Sequence, residues 1–336
     1  MADGVHTAVI GAGAWGTALA WSLAERGKPV TLWAHSPEVA NVINRSRENR
    51  IYLPGVALPE NLRATSGMAE AARGAQLVLL VIPTQFMRAT LTHLAPHVPP
   101  EATLVSASKG IENETLALPV EIIESTLGKQ AAAKSVSLSG PTFAREFVQR
   151  APTAATLASA SETEARRAQE ALSAPWFRLY IHHDVTGVEL AGALKNVIAI
   201  AAGIAGGLGY GANTRAALIT RGLAEITRLG EAIGADPRTF SGLAGVGDLV
   251  LTCTSDLSRN HTVGFRLGKG ERLDQITGSM RAVAEGVATA RAAAGLARKL
   301  GVETPIIEEV CRVLYENKPP SQAVVDLMSR AQKTEF

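Results

Sequence analysis

The chain reads as an α/β domain built on a parallel sheet, followed by an all-α domain. Three observations carry that reading. A short apolar run, Thr7–Ile10, leads directly into Gly11-Ala12-Gly13-Ala14-Trp15-Gly16 and then into helical periodicity from Ala14 to Arg26. Short apolar runs and helical patterns keep alternating up to His183, as βαβ units demand. From Asp184 onward the strand signal stops and helical periodicity alone remains. The expected division is 1–183 and 184–336, and 336 residues exceed what one ordinary core accommodates.

The glycine run has a function in that position. Its pattern is G-x-G-x-x-G at a strand-to-helix turn. Gly11 permits the tight turn, Gly13 lets the backbone approach a pyrophosphate at the positive helix end, and Gly16 lets helix and strand pack closely. The first domain is thus expected to be Rossmann-type and to bind a dinucleotide. The second strand, Val30–Trp33, ends at Ala34-His35-Ser36, where an enzyme strict for NAD places an acidic residue on the ribose. None is present, so a 2′-phosphate meets no repulsion there. Further strands are expected at 77–82, 102–106, 135–138, 153–157 and 177–181. The fourth of the expected strands ends just before Ser108-Lys109-Gly110, and the next before Ser139-Gly140-Pro141-Thr142. Open α/β sheets bind ligands beyond such strand ends, which makes Lys109, Gly140 and Thr142 candidates.

In the helical half the outlying residue is Lys195, set among Val188, Ala191, Gly192 and Ala199 on one helical face. Burial lowers a lysine pKa and fits it for proton transfer, whereas a snorkelling lysine would keep its ammonium at the surface. Asn213 or Thr214 is expected to cap the next helix. Gly245-Val246-Gly247-Asp248 is a tight turn presenting a carboxylate, and Ser258-Arg259-Asn260 groups a hydroxyl, a guanidinium and an amide suited to phosphate. A helix is expected to open at Ala282-Val283-Ala284-Glu285-Gly286.

Composition narrows the function classes. A formal charge of +2 gives no basic surface for nucleic acid, and two cysteines provide no disulfide framework. Adjacent His182 and His183 lack a third ligand, so no metal is expected. Leu190–Leu208 approaches the length of a membrane span, but its mid-span Lys195 and abundant Ala and Gly argue for a packed helix instead. Met1–His6 carries no signal-peptide pattern, and two cysteines without a disulfide framework fit a reducing compartment.

On Gly11–Ala18, Ser108-Lys109-Gly110-Ile111, Ser139–Thr142, Glu189–Asn196, Gly245–Leu249 and Ser258–Asn260, the sequence closely resembles the bacterial-type NAD(P)-dependent sn-glycerol-3-phosphate dehydrogenases. The resemblance runs from His6 to about Lys333. It implies a cytoplasmic homodimer that reduces dihydroxyacetone phosphate with NADH or NADPH, supplying glycerophospholipid synthesis, with the active site between its domains. It places the proton-transferring lysine at Lys195. Substrate contacts fall on Lys109, Gly140, Thr142, Lys195, Asp248, Ser258, Arg259 and Asn260. Cofactor contacts fall on the glycine turn (Gly11, Gly13, Gly16), Ala14, Trp15, His35, Tyr52, Lys109, Ala144, Arg259, Val283 and Glu285. Many members carry Ser in place of Ala14 and Arg in place of Ser36, and the second departure leaves cofactor preference open.

Lys195 would protonate the ketone oxygen as hydride arrives, Lys109 would polarise or hold it, and Asp248 would orient Lys195 or a substrate hydroxyl. Lys195→Met is expected to lower turnover and to relieve the cost of desolvating an ammonium. Two competing readings are a related β-hydroxyacid dehydrogenase using Arg259 for a carboxylate, and a dinucleotide sensor without catalysis.

Overall fold

The computed structural model describes residues 6–280, 283–332 and 334–335. The first five residues, on which the expected lack of a signal peptide bears, and Ala282 lie outside them. The chain forms two compact units, one of residues 1–110 and 117–189, the other of 111–116 and 190–336.

The first unit is organised on an eight-stranded sheet. Its strands are β1 (Thr7–Ile10), β2 (Val30–Trp33), β3 (Leu62–Thr65), β4 (Leu77–Leu80), β5 (Thr103–Ser106), β6 (Val136–Ser139), β7 (Thr153–Ala158) and β8 (Phe177–His182). Their spatial order is β3-β2-β1-β4-β5-β6-β7-β8. The ladders from β3 to β6 are parallel, β7 runs antiparallel to β6, and β8 is parallel to β7. The chain order turns back between β1 and β4, the switch point at which such sheets open a ligand crevice. β3 was not expected. It is a short strand, Leu-Arg-Ala-Thr, with no continuous apolar run to reveal it.

Both faces of the sheet are covered at its centre, where β1, β4, β5 and β6 are buried along their whole length, whereas β3 and β8 at the edges carry exposed residues. Val9, Leu79 and Val105 face one cluster, anchored by Leu19, Leu23 and Phe147. The alternate residues Ala8, Ile10, Val78, Leu80 and Leu104 face a second cluster with Met87, Leu91 and Ile122. A period of two along each strand sends neighbours to opposite sides.

In the second unit every element among the described residues is helical. Its principal helices are the stretch from Leu190 in Val185–Gly207, then Ala212–Ala232, Asp248–Thr254, Arg259–Gly268, Glu285–Leu300, Pro305–Tyr315 and Pro320–Met328. The cap expected at Asn213 or Thr214 is instead Gly211, with both polar residues inside the helix. Val185–Gly207 is long and apolar enough to cross a membrane, yet its apolar window is entirely buried. A close helix contact accounts for its composition. A Cβ on Gly203 would lie 2.1 Å from the His261 carbonyl oxygen, and one on Gly264 would lie 2.0 Å from that of Ile200. Small residues bring the two backbones into direct contact.

Candidate active site

In the first unit the glycine turn has a different steric reason at each position. Gly11 has φ +124°, and a Cβ there would lie 2.2 Å from the Val81 carbonyl oxygen. A Cβ on Gly16 would lie 1.9 Å from the Gly11 oxygen, so the helix lies directly on the turn. At Gly13 a Cβ would meet nothing within 4 Å, and the helix Ala14–Glu25 that it caps receives no side-chain cap. An open approach to an uncapped helix N-terminus fits a pyrophosphate. Asn49, buried in the loop after the helix Pro37–Ser46, braces this turn. Its Nδ2 donates to Ala12 O (2.9 Å) and Thr17 Oγ1 (2.8 Å), and its Oδ1 accepts from the Tyr52 amide. Sequence reasoning missed Asn49. An isolated amide in a loop carries no periodic signal.

The other candidate cofactor residues of this unit sit at strand ends or helix starts. His35 is exposed just past β2, with its ring 6.0 Å from that of Trp33. Ser36 caps the helix Pro37–Ser46, accepting from the Val39 amide at 3.4 Å. Trp15 meets Phe147 edge-on at 5.0 Å, which ties the glycine turn to the helix Ala144–Val148. Ala144 is the first residue of that helix. Lys109 follows β5 and donates through Nζ to the Gly140 carbonyl at 3.0 Å, while Thr142 Oγ1 donates to the same oxygen at 3.2 Å. Gly140 itself has φ +148° and packs its Cα side on Ala155, 2.9 Å from a would-be Cβ. Lys109, Gly140 and Thr142 therefore form one cluster.

In the second unit the lysine is not a snorkelling one. Lys195 is 7% exposed, and its Nζ donates to Asp248 Oδ1 at 2.6 Å and Thr252 Oγ1 at 2.9 Å. Asp248 reaches it by an unusual backbone route. Leu243–Gly247 is a π-helical turn in which Gly245 takes φ −90°, ψ −105°, and a Cβ at Gly245 would lie 2.1 Å from the Phe240 oxygen. Such π turns recur at functional sites. Thr252, one helical turn on, also donates to the Asp248 carbonyl at 2.6 Å and so holds both ends of the pair. It too escaped the sequence reading, because one threonine on an apolar helix reads as packing.

The pairing reverses the stability expected for Lys195→Met. Removing the ammonium would take a counter-charge from a buried carboxylate rather than simply relieve a buried cation. Neighbouring Cys253 is chemically quiet, since burial pushes its thiol up to about 12.

Asn260 Nδ2 donates to Asn196 Oδ1 at 2.9 Å, and Asn260 Oδ1 accepts from the Gly286 amide at 2.9 Å. Ser258 caps the helix Arg259–Gly268, accepting from His261 N at 3.2 Å. Arg259 donates through Nη1 to the Val283 carbonyl at 2.8 Å, and Glu285 opens the helix Glu285–Leu300. The Ser258–Asn260 trio thus sits at one helix N-terminus, where donors and the helix dipole favour an anion. Among the described residues no cluster of His, Cys, Asp or Glu is placed to hold a metal. His182 Nδ1 accepts locally from the Asp184 amide.

Comparison with known proteins agrees with both units. Residues 6–165 match the family model for the NAD-dependent glycerol-3-phosphate dehydrogenase N-terminus, and residues 184–325 match that for its C-terminus. The chain belongs to the NAD-dependent glycerol-3-phosphate dehydrogenase family. Among curated relatives, the glycerol-3-phosphate dehydrogenase [NAD(P)+] of Citrifermentans bemidjiense is 56% identical over 98% of both chains. That of Geobacter metallireducens is 55% identical over 99% of both. The crystal structure of glycerol-3-phosphate dehydrogenase from Coxiella burnetii has a TM-score of 0.93 at 36% identity, covering 97% of this chain and 99% of that one.

Proposed function

We propose that the protein reduces dihydroxyacetone phosphate to sn-glycerol 3-phosphate with NADH or NADPH. The observation that carries this reading is the buried Lys195–Asp248–Thr252 cluster in a chain that also has an open, uncapped glycine turn. The curated relatives named glycerol-3-phosphate dehydrogenase [NAD(P)+] support it over their full length.

The cofactor, when bound, supplies the hydride to the ketone carbon. Lys195 gives a proton to the oxygen on which charge grows, a contribution of about 10²–10⁴ in rate for a positioned acid. Asp248 and Thr252 fix the ammonium's direction and balance its charge. Lys109 stabilises the developing oxyanion beside the Gly140–Thr142 turn. Arg259, with Ser258 and Asn260, holds the phosphate, and that remote binding energy positions the carbonyl. Gly13 would leave the backbone open to the pyrophosphate, in a turn that Gly11 and Gly16 shape and that Ala14 and Trp15 would help to line. His35, Tyr52, Ala144, Val283 and Glu285 complete the cofactor contacts, with Lys109 and Arg259 shared between cofactor and substrate.

Residues 1–183 serve as the cofactor domain and 184–336 as the substrate domain, a split supported by the separate family models at 6–165 and 184–325. The enzyme works as a cytoplasmic homodimer without membrane insertion and feeds glycerophospholipid synthesis. Oxidation of NADH and NADPH with dihydroxyacetone phosphate, set against β-keto acids lacking phosphate, tests the reading. Turnover confined to the keto acids favours the β-hydroxyacid alternative. Cofactor binding with no turnover on either favours a sensor.

A further inference from the structure

The contact between Val185–Gly207 and Arg259–Gly268 has a regular step. Asn260 bonds Asn196, a separation of 64 in sequence, and the same offset pairs Gly264 with Ile200 and Gly268 with Ile204. The two helices therefore run parallel and in register, one turn at a time. Beyond the Asn196–Asn260 bond, glycines let backbone touch backbone. Would-be Cβ atoms on Gly203, Gly264, Gly207 and Gly268 would lie 2.1, 2.0, 2.2 and 2.4 Å from carbonyl oxygens of the facing helix. Helices packed through ordinary side chains stand about 8–10 Å apart, and at these positions there is no room for even a methyl group between the two backbones. In register, Lys195 on one helix stands level with Arg259 on the other. Gly286 closes the same end, where a Cβ would lie 2.6 Å from the Asn196 oxygen and 2.7 Å from Asn260 Oδ1.

We propose that this glycine seam is a ruler: it fixes the distance from Lys195 to the Ser258–Asn260 anion site, and so selects substrates whose carbonyl and phosphate stand that far apart. The inference rests on the proposed reduction of dihydroxyacetone phosphate. None of Gly203, Gly207, Gly264 or Gly268 contributes a side-chain atom to the chemistry. Each acts only by what it omits. A methyl group on Gly264 would need about 1 Å of helix separation to clear the Ile200 oxygen, and an error of that size costs up to about 10²-fold in rate.

The test compares Gly264→Ala and Gly268→Ala with the control Gly206→Ala, whose Cβ would make ordinary contact at 3.6 Å with the Phe265 ring. For each, kcat/KM for dihydroxyacetone phosphate is measured beside the inhibition constant of inorganic phosphate and the Kd for NADH. The ruler predicts a fall in kcat/KM of roughly 10–100-fold in Gly264→Ala. A smaller fall is expected in Gly268→Ala, one turn further from Asn260, and none in Gly206→Ala. Inorganic phosphate and NADH should bind nearly as before, because each needs only one local site. Loss of phosphate inhibition in step with kcat/KM would mean local damage and overturn the proposal. So would folded seam variants with the parent's kcat/KM, or failure of both to fold, which would make the seam a stability element alone. A parent that does not reduce dihydroxyacetone phosphate overturns the functional reading and the ruler together.

Discussion

The Lys195–Asp248 pair allows stability and catalysis to be separated by a mutant cycle. The charges are 2.6 Å apart, with side-chain exposures of 9% and 1%. At an effective dielectric of about 20 the gross attraction is about 6 kcal/mol, while taking each ion out of water costs several kcal/mol. The pair thus comes close to break-even as a contributor to folding. Removing one member is a different matter. Lys195→Met leaves the Asp248 carboxylate buried without its counter-charge, a loss of about 3–5 kcal/mol. Adding Asp248→Asn removes the second charge and keeps a group of the same shape that can still bond Thr252. The double variant should recover at least about 2 kcal/mol over Lys195→Met, measured by urea unfolding. Turnover should not follow. At saturating substrate, with chemistry rate-limiting, kcat should stay at least about 10²-fold below the parent in both variants. A double variant no more stable than the single one would refute the charge argument. A Lys195→Met enzyme within a few-fold of the parent would refute the proton-donor role.

Arg259→Ala should raise KM for dihydroxyacetone phosphate far more than Arg259→Lys, because lysine keeps the charge and loses the planar fork; an unchanged KM in the alanine variant removes Arg259 from the phosphate site. Ser36→Arg should move the kcat/KM ratio towards NADPH, while loss of the cap on the Val39 amide lowers stability by about 1 kcal/mol. A ratio that stays fixed shows that this corner does not select the cofactor. Glu225, which accepts from the Ile306 and Ile307 amides at 2.8 and 3.2 Å, is pushed up from 4.5 to about 7 by burial. The folded state then binds more protons than the unfolded one between those values, so stability falls as pH rises through that window, by about 3 kcal/mol for this group. Glu225→Gln should flatten that part of a Tm-against-pH curve, and an unaltered slope would assign the dependence elsewhere.

The fold was legible wherever one segment carries its own signal. The glycine turn and the doubly covered strands are local patterns, because a parallel sheet needs unbroken apolar runs and tight βα turns. β3 was not legible, since Leu-Arg-Ala-Thr is too short and mixed to show a period. The grouping of Ile111–Leu116 with the helical unit leaves no local mark either. In the site, Lys195, Asp248 and Ser258–Asn260 stood out as polar groups in unusual surroundings. Asn49 and Thr252 did not, because each acts through a partner distant in sequence: Asn49 on Ala12 and Thr17, Thr252 on Lys195. Charged groups among apolar neighbours announce themselves, whereas neutral groups that orient them look like ordinary packing until the partner is known.

The same distinction explains why the helical unit tolerates a buried ion pair of little net stability. A lysine in the role proposed for Lys195, giving its proton to one face of a small ketone, needs a fixed direction as much as a suitable pKa. Asp248 and Thr252 approach the ammonium from a single helix, Asp248–Thr254, whose start is set by the π turn at Leu243–Gly247. Asn196, the next residue after Lys195, is held by Asn260, and Asn260 by the Gly286 amide. The lysine's ammonium and the side chain of its neighbour Asn196 are thus tied to different helices by directional bonds, which an apolar core could not provide. Hydrophobic packing fixes how close the helices come, through the glycines. Polar contacts fix where the ammonium points.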